Sequence, residues 1–343
     1  MTKWLEGEAV DLDVVISTRV RVARNIENYK FPSLMSIEES DELTNEVLNA
    51  IKDSDEEGNY KFNRIRDLIP RERLVFIEEH LISPGLIQNL DKSSFLIRND
   101  QRATIMINEE DHLRIQTLFS GLKLNEAWDL CSQIDDSLEQ KIDYAYDEKL
   151  GFLTSCPTNV GTGLRASVMV HLPCLSMTGH INTIIEALRK VGLTVRGLYG
   201  EGSEALGNLY QISNQVTLGE SEEDIIVKLN KVISQIVARE RNTRRYLMET
   251  KALELEDKIY RSLGILTHSR LMSSKEAMNH LSNIKLGWDI NLIQNEKLKE
   301  IVKLMIDIQP ANIQKTLEKD MLSSERDNAR AGIIRKFIEN AEG

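Results

Sequence analysis

Cysteine is scarce in this sequence: three in 343 residues, at positions 131, 156 and 174. An odd, widely spaced set does not make a disulfide framework and suits a reducing cytoplasm. None of the three stands at zinc-site spacing from a histidine. Long apolar runs are missing too. No stretch of about 18 apolar residues exists, so no membrane span is expected. The first ten residues carry Glu6 and Glu8 and have no apolar core, unlike a secretion signal. Positive charge is in deficit. Lys and Arg number 43 against 54 Asp and Glu, a net charge of −11. That balance argues against a general nucleic-acid-binding surface, which needs cations to displace counterions.

What is present is ordinary for a soluble globular chain, with 41 % hydrophobic and 28 % charged residues. The length fits two domains. Charge divides them: from Tyr246 onward acids and bases balance at fifteen each, so all of the −11 lies before it. Glycine follows, with 14 of 18 before residue 246. The expected division is 1–245 and 246–343. No internal repeat or low-complexity segment interrupts it.

Along the chain, residues 14–17 read as a short buried strand running into an Arg-rich segment. Ser36 and Glu39 form a capping box ahead of Leu43, Val47, Leu48 and Ile51 at helical spacing. Residues 95–97 and 104–108 flank the turn residues Asn99 and Asp100 as a hairpin. Residues 111–141 read as helical by period. Residues 150–153, 166–172, 194–198 and 209–215 read as strands, with a helix over 180–191. Strands mixed with helices, without regular βαβ alternation, predict an α+β fold with a largely antiparallel sheet flanked by helices. From 222 to about 263 a long helix is expected. A second capping box at Ser273 and Glu276 follows, then helices near 274–283, 294–306, 311–320 and 324–340: an all-helical C-terminal domain.

Four segments carry chemistry. In Ser17–Arg24, Arg19 and Arg21 share one face of an extended chain. They repel unless an anion such as a phosphate chain lies between them, although a solvated basic strand edge would look the same. In Asn108–Arg114, three acids follow an apolar strand. They suit cation binding or general-base work, or else a helix N-terminus. Cys156–Arg165 is a Pro- and Gly-containing loop that lets backbone N–H groups approach an anion, and it lacks the P-loop ending. Cys156 beside it is either a thiol activated by cations or an inert core cysteine. Arg196–Ser203, with glycines at 197, 200 and 202, reads as a closing lid or an ordinary connection. Together, Arg19, Arg21, Arg114, Arg165 and Arg196 suggest an anion cage, with Glu110 and Glu201 beside it for something cationic.

These segments, in this order, resemble the active-site motifs of the phosphagen (guanidino) kinases, most specifically through Cys156–Thr162. The similarity covers roughly residues 14 to 220. It implies an antiparallel sheet flanked by helices and transfer of the γ-phosphoryl of MgATP to a guanidine nitrogen. It also implies a nucleotide site of Ser17, Thr18, Arg19, Val20 and Arg21; His80 on the adenosine side; Arg114; Arg165, Ala166, Ser167, Val168 and Met169; and Arg196, Gly197, Leu198, Tyr199, Gly200 and Glu201. Glu110 and Glu201 resemble the carboxylates that orient and deprotonate the guanidine, and Cys156 the cysteine beside it. Magnesium is expected to enter with ATP, without direct protein ligands. Ordinary members carry a helical domain before the first Arg motif. Here that motif begins at residue 17, and a helical region follows the catalytic one instead. This pairing is similar to the family's bacterial protein-arginine kinase branch. Arg326, Asp327, Arg330 and Ala331 match that branch's phosphoarginine-receptor motif. On a helix, Arg326 and Arg330 at i and i+4 repel, and a phosphate would relieve them.

The resemblance further implies arginine-containing protein substrates, including a heat-shock transcriptional repressor. It implies a zinc-finger activator partner, delivery to a Clp ATPase/protease, and a homodimer or larger assembly. The rival readings are a kinase for free arginine or another small guanidine, and a phosphoarginine-binding adaptor.

Overall fold

A computed structural model describes residues 2–7, 9–52, 59–197 and 205–342. Ten strands are present among them: β1 (Val15–Arg24), β2 (Tyr60–Arg64), β3 (Ser94–Arg98), β4 (Ala103–Ile107), β5 (Leu113–Ser120), β6 (Tyr146–Asp147), β7 (Gly151–Phe152), β8 (Leu164–His171), β9 (Leu193–Gly197) and β10 (Leu209–Asn214). Eight form one sheet in the order β2-β3-β4-β5-β1-β8-β10-β9, and β6 and β7 form a separate hairpin. The run from β2 through β3, β4 and β5 to β1 is antiparallel throughout.

The chain forms two compact units. One comprises Met1–Val10, Ser17–Val168 and Ser213–Lys231; the other comprises Asp11–Ile16, Met169–Ile212 and Val232–Gly343.

In the first unit the core lies beneath β3, β4 and β5, which are buried almost throughout. Helix Leu124–Glu139 packs on β5 and turns Leu124, Ala127, Cys131, Ile134 and Leu138 inward at helical spacing. Burial raises the pKa of Cys131 far above the usual thiol value, so it is an inert core residue. The capping box of helix Ile37–Lys52 has both arms: Glu39 N–H donates to Ser36 Oγ, and Ser36 N–H donates to Glu39 Oε2.

Three expectations change. β1 continues through the Arg-rich segment to Arg24. The helix expected over 111–141 is strand β5 followed by a shorter helix. Ile115 and Thr117 are β-branched and fit a central strand, and Gly121 at φ +64° breaks the chain between the two elements. The long helix from 222 is interrupted at Lys251, where φ −141° and ψ 36° leave the helical region, giving helices Glu222–Thr250 and Ala252–His268.

In the second unit, Ile16, Met169 and Leu209 join one apolar core with Leu266, Met278, Ile284 and Ile334 of the helical region. Buried charges accompany it. The Glu240 carboxylate accepts from the N–H groups of Cys174 and Leu175, which open helix Pro173–Met177, and also from Arg244. Asp289 pairs with Lys285 at 2.8 Å.

Candidate active site

The register of β1 on β5 decides which side chains meet. Arg19 lies opposite Leu118, Arg21 opposite Gln116 and Ala23 opposite Arg114. Directly opposed residues share a face, so Arg19, Arg21 and Arg114 emerge on one side of the sheet. Val20 and Val22 are fully buried on the other. Thr18 has the parity of Val20; its hydroxyl donates to Gly121 O and accepts from Lys123 N. Arg165, near the start of β8, donates to Ser213 Oγ at 3.3 Å. Burial, and then the charges of Arg19, Arg114 and Arg165, push the pKa of Arg21 well below its ordinary value. Four guanidiniums held this close form a site for a polyanion.

The nearest acids belong to the turn between β4 and β5. Asn108 takes φ +57° and its N–H donates to His112 O, so the three acids sit on a tight connection and not on a helix N-terminus. Each acid has its own task. Glu109, with a side chain 7 % exposed, ion-pairs with Arg114 at 2.5 Å. Glu110 lies 3.5 Å from Arg114 and is 47 % exposed, open to an incoming group. Partial burial, then Asp111, raises its pKa above the usual carboxylate value, against the opposing pull of Arg114. A raised pKa suits a general base. Asp111 is buried and accepts from Asn25 Nδ2 at 2.7 Å and from Ser155 N–H at 2.6 Å. It thereby ties the carboxylate turn to the loop that starts at Cys156.

That loop is locked from beneath. Thr217 Oγ1 donates to the carbonyls of Thr158 and Val160, and Thr162 N–H donates to Thr217 O. Gly161 has φ +108°, and a Cβ there would collide with the Thr217 carbonyl, so the glycine is required. Cys156 is partly exposed, with its Sγ 3.0 Å from Thr158 Oγ1.

His80 has φ +62°, its ring lies 6.4 Å from that of Trp4 with the planes tilted at 59°, and its pKa is pushed down to about 3 by burial and by Arg19. Its ring is therefore neutral. Its carbonyl accepts from Gln116, the residue opposite Arg21. In β8, Ala166 N–H donates to Asn214 Oδ1, Ser167 Oγ donates to Arg19 O, and Val168 is fully buried. Ser17 is buried in β1. Met169 belongs to the core of the second unit. Arg196, exposed on β9, and Gly197 at its end fall within that unit and not among its core residues. Leu198, Tyr199, Gly200 and Glu201 lie outside the described residues.

The second candidate site is on helix Ser323–Glu342. Arg330 is buried and donates to Ile308 O, Met272 O and Asp327 Oδ1. Arg326, partly exposed, donates to Met321 O. The i, i+4 repulsion is thus relieved internally by Asp327 and backbone carbonyls. Ala331 is in the core.

The sequence pattern does not single out Glu109 as the partner of Arg114. The run of acids was visible; which acid turns inward depends on the turn geometry.

An antiparallel sheet that gathers arginines on one face, beside one committed carboxylate and one open one, is equipment for phosphoryl transfer. Comparisons with known proteins agree. Residues 42–243 match the C-terminal catalytic domain of ATP:guanido phosphotransferases, and residues 252–343 match the C-terminal domain of the protein-arginine kinase McsB. A protein-arginine kinase of Halalkalibacterium halodurans is 48 % identical over 98 % of this chain and 94 % of its own length. One from Geobacillus stearothermophilus is 46 % identical over 98 % of this chain and 94 % of its own. Among solved structures, lombricine kinase is similar with TM-score 0.60 and 25 % identity, covering 70 % of both chains. The duplicated taurocyamine kinase of Schistosoma mansoni, solved with transition-state analogue components, matches with TM-score 0.63 and 25 % identity, covering 76 % of this chain and 39 % of that one. The chain belongs to the protein-arginine kinase family, within the ATP:guanido phosphotransferases.

Proposed function

We propose that this protein transfers the γ-phosphoryl group of ATP to the guanidinium nitrogen of arginine residues in proteins. The observation that carries this reading is the face of β1 and β5. Arg19, Arg21 and Arg114 share it, Arg165 adds its charge, and Glu110 stands open next to Arg114. The arginines hold the phosphates and stabilise charge spread over the transferring oxygens. The acceptor is a cation of pKa about 12.5–13.8 and a poor nucleophile until it loses a proton. Glu110, with its raised pKa, accepts hydrogen bonds from the guanidinium and takes that proton as attack begins, and Glu201 is the second carboxylate of the clamp. Cys156 flanks the acceptor. Mg²⁺ would enter with ATP, without direct protein ligands, and would neutralise phosphate charge.

The resemblance and the matched C-terminal domain support further parts of the proposal. Ser17, Thr18, Val20, His80, the 165–169 segment and 196–201 frame the nucleotide. Arg326, Asp327, Arg330 and Ala331 receive phosphoarginine and promote activity, with Arg326 the more accessible of the two arginines. The catalytic region is 1–245 and the receptor and dimer region 246–343. The chain acts in the cytoplasm, with a heat-shock repressor among its substrates and a zinc-finger activator and Clp protease as partners.

The test compares acceptors. With ATP and Mg²⁺, label from the γ-phosphate should enter a protein acceptor in acid-labile form. Rapid turnover of free arginine with no label on protein would establish the small-guanidine alternative instead.

A further inference from the structure

Ser83 and Gly85 lie outside every segment given a role above, in the Ser83-Pro84-Gly85 turn that follows His80. Ser83 Oγ lies 2.5 Å from Glu109 Oε1 and accepts the Leu86 N–H at 3.2 Å. With its lone pairs serving Leu86, the hydroxyl proton is directed at the carboxylate. The Ser83 N–H is itself fixed on Met106 Sδ of β4, at 3.4 Å. On its far side Glu109 ion-pairs with Arg114. Gly85 completes the seat. A Cβ there would collide with Glu109 Oε1, although the glycine's φ −64° and ψ −35° are open to any residue. A side chain at this position would therefore displace the Glu109 carboxylate without straining the backbone. Glu109 is also among the charges that act on Arg21, raising its pKa against Arg19, Arg114 and Arg165.

We infer that Ser83 and Gly85 are positioning residues: they hold Glu109 so that it orients Arg114 and offsets the repulsion within the arginine cluster before nucleotide arrives. This rests on the proposed reading of those arginines as phosphate ligands. A hydrogen bond to a carboxylate in a nearly closed site fixes one rotamer of Glu109, and that rotamer fixes the guanidinium plane presented to the phosphates.

The experiment measures ADP binding to the full-length protein by calorimetry, alongside kinetics and thermal unfolding, for Ser83→Ala, Ser83→Thr and Gly85→Ala. Ser83→Ala should weaken ADP about ten-fold and raise the KM for ATP in proportion, with kcat within about two-fold and the unfolding midpoint nearly unchanged. Ser83→Thr, which keeps the hydroxyl, should restore binding. Gly85→Ala should weaken ADP at least as much as Ser83→Ala, through the collision with Glu109. ADP affinity in Ser83→Ala and Gly85→Ala equal to that of the parent would overturn the inference. So would loss of affinity only in step with loss of folding. A parent that binds ADP yet transfers no phosphate to arginine would contradict the proposed activity while leaving this test intact.

Discussion

Glu109 and Glu110 are neighbours in the chain with the same side chain, yet their exposures of 7 % and 47 % part their roles. One is consumed by Arg114 and Ser83; the other faces outward with a raised pKa. Glu110→Gln keeps the shape and removes the proposed base. Arginine phosphorylation should fall by about 10²–10⁴-fold, with ADP affinity nearly unchanged, as rapid-quench kinetics and calorimetry would show. A rate within about two-fold of the parent would remove Glu110 from proton transfer. At this scale the sequence revealed the residue types and their spacing, because Arg19 and Arg21 must share a face of any strand. It did not reveal that Ser83 meets Glu109, since no local pattern encodes a contact 26 positions away. Nor did it show Arg330 turned into the core, because a charged helix face and a buried, fully hydrogen-bonded arginine read alike.

Among the elements, β1 does most to assemble the site, and its last residue anchors it. Arg24 is buried, donates to Asp135 on helix Leu124–Glu139 and to Thr162 O, and stacks 3.5 Å over the Phe152 ring. The strand that carries Arg19 and Arg21 is thereby fastened to the helix behind it and to the Cys156 loop. Removing one partner of a buried pair leaves the other charge uncompensated. Asp135→Ala should cost about 3–5 kcal/mol in urea unfolding; a loss below about 1 kcal/mol would show that the carbonyls and rings hold Arg24 without Asp135. The strands over 95–97 and 104–108 and the capping box at Ser36 were legible because each has a local signature. β5 was not. Its apolar residues fit a helical period and a buried strand equally, and only pairing with β1 and β4 settles the choice.

Over the whole molecule, charge and glycine content mark a change near residue 245, and the matched family regions part at 243 and 252. Compactness divides the chain differently, since Met169 and Leu209 bury their side chains in the helical core. Such partition is a property of packing and not of composition.

Titration is another property of the whole chain. His80, His112 and His171 are all pushed below the usual histidine pKa, chiefly by burial. The unfolded chain takes up protons at these positions near pH 6.5 and the folded one only at lower pH. Their contribution is therefore complete above that pH and declines below it, by at most about 1.4 kcal/mol per group per pH unit. Asp289, raised to about 6, works in the opposite sense: its contribution is present at low pH and lost as pH rises through that value. The urea midpoint should fall between about pH 7.5 and about pH 5.5; an unchanged or rising midpoint would mean that the histidines are not neutral when folded.

On the proposed reading, the arginine cluster and Glu110 serve transfer to an arginine nitrogen. Mass spectrometry of an acceptor protein after reaction with MgATP, under conditions that preserve N–P bonds, is the decisive test. Phosphate localised to arginine side chains, and abolished by Glu110→Gln, is the expected result. Phosphate confined to serine, threonine or tyrosine would contradict it.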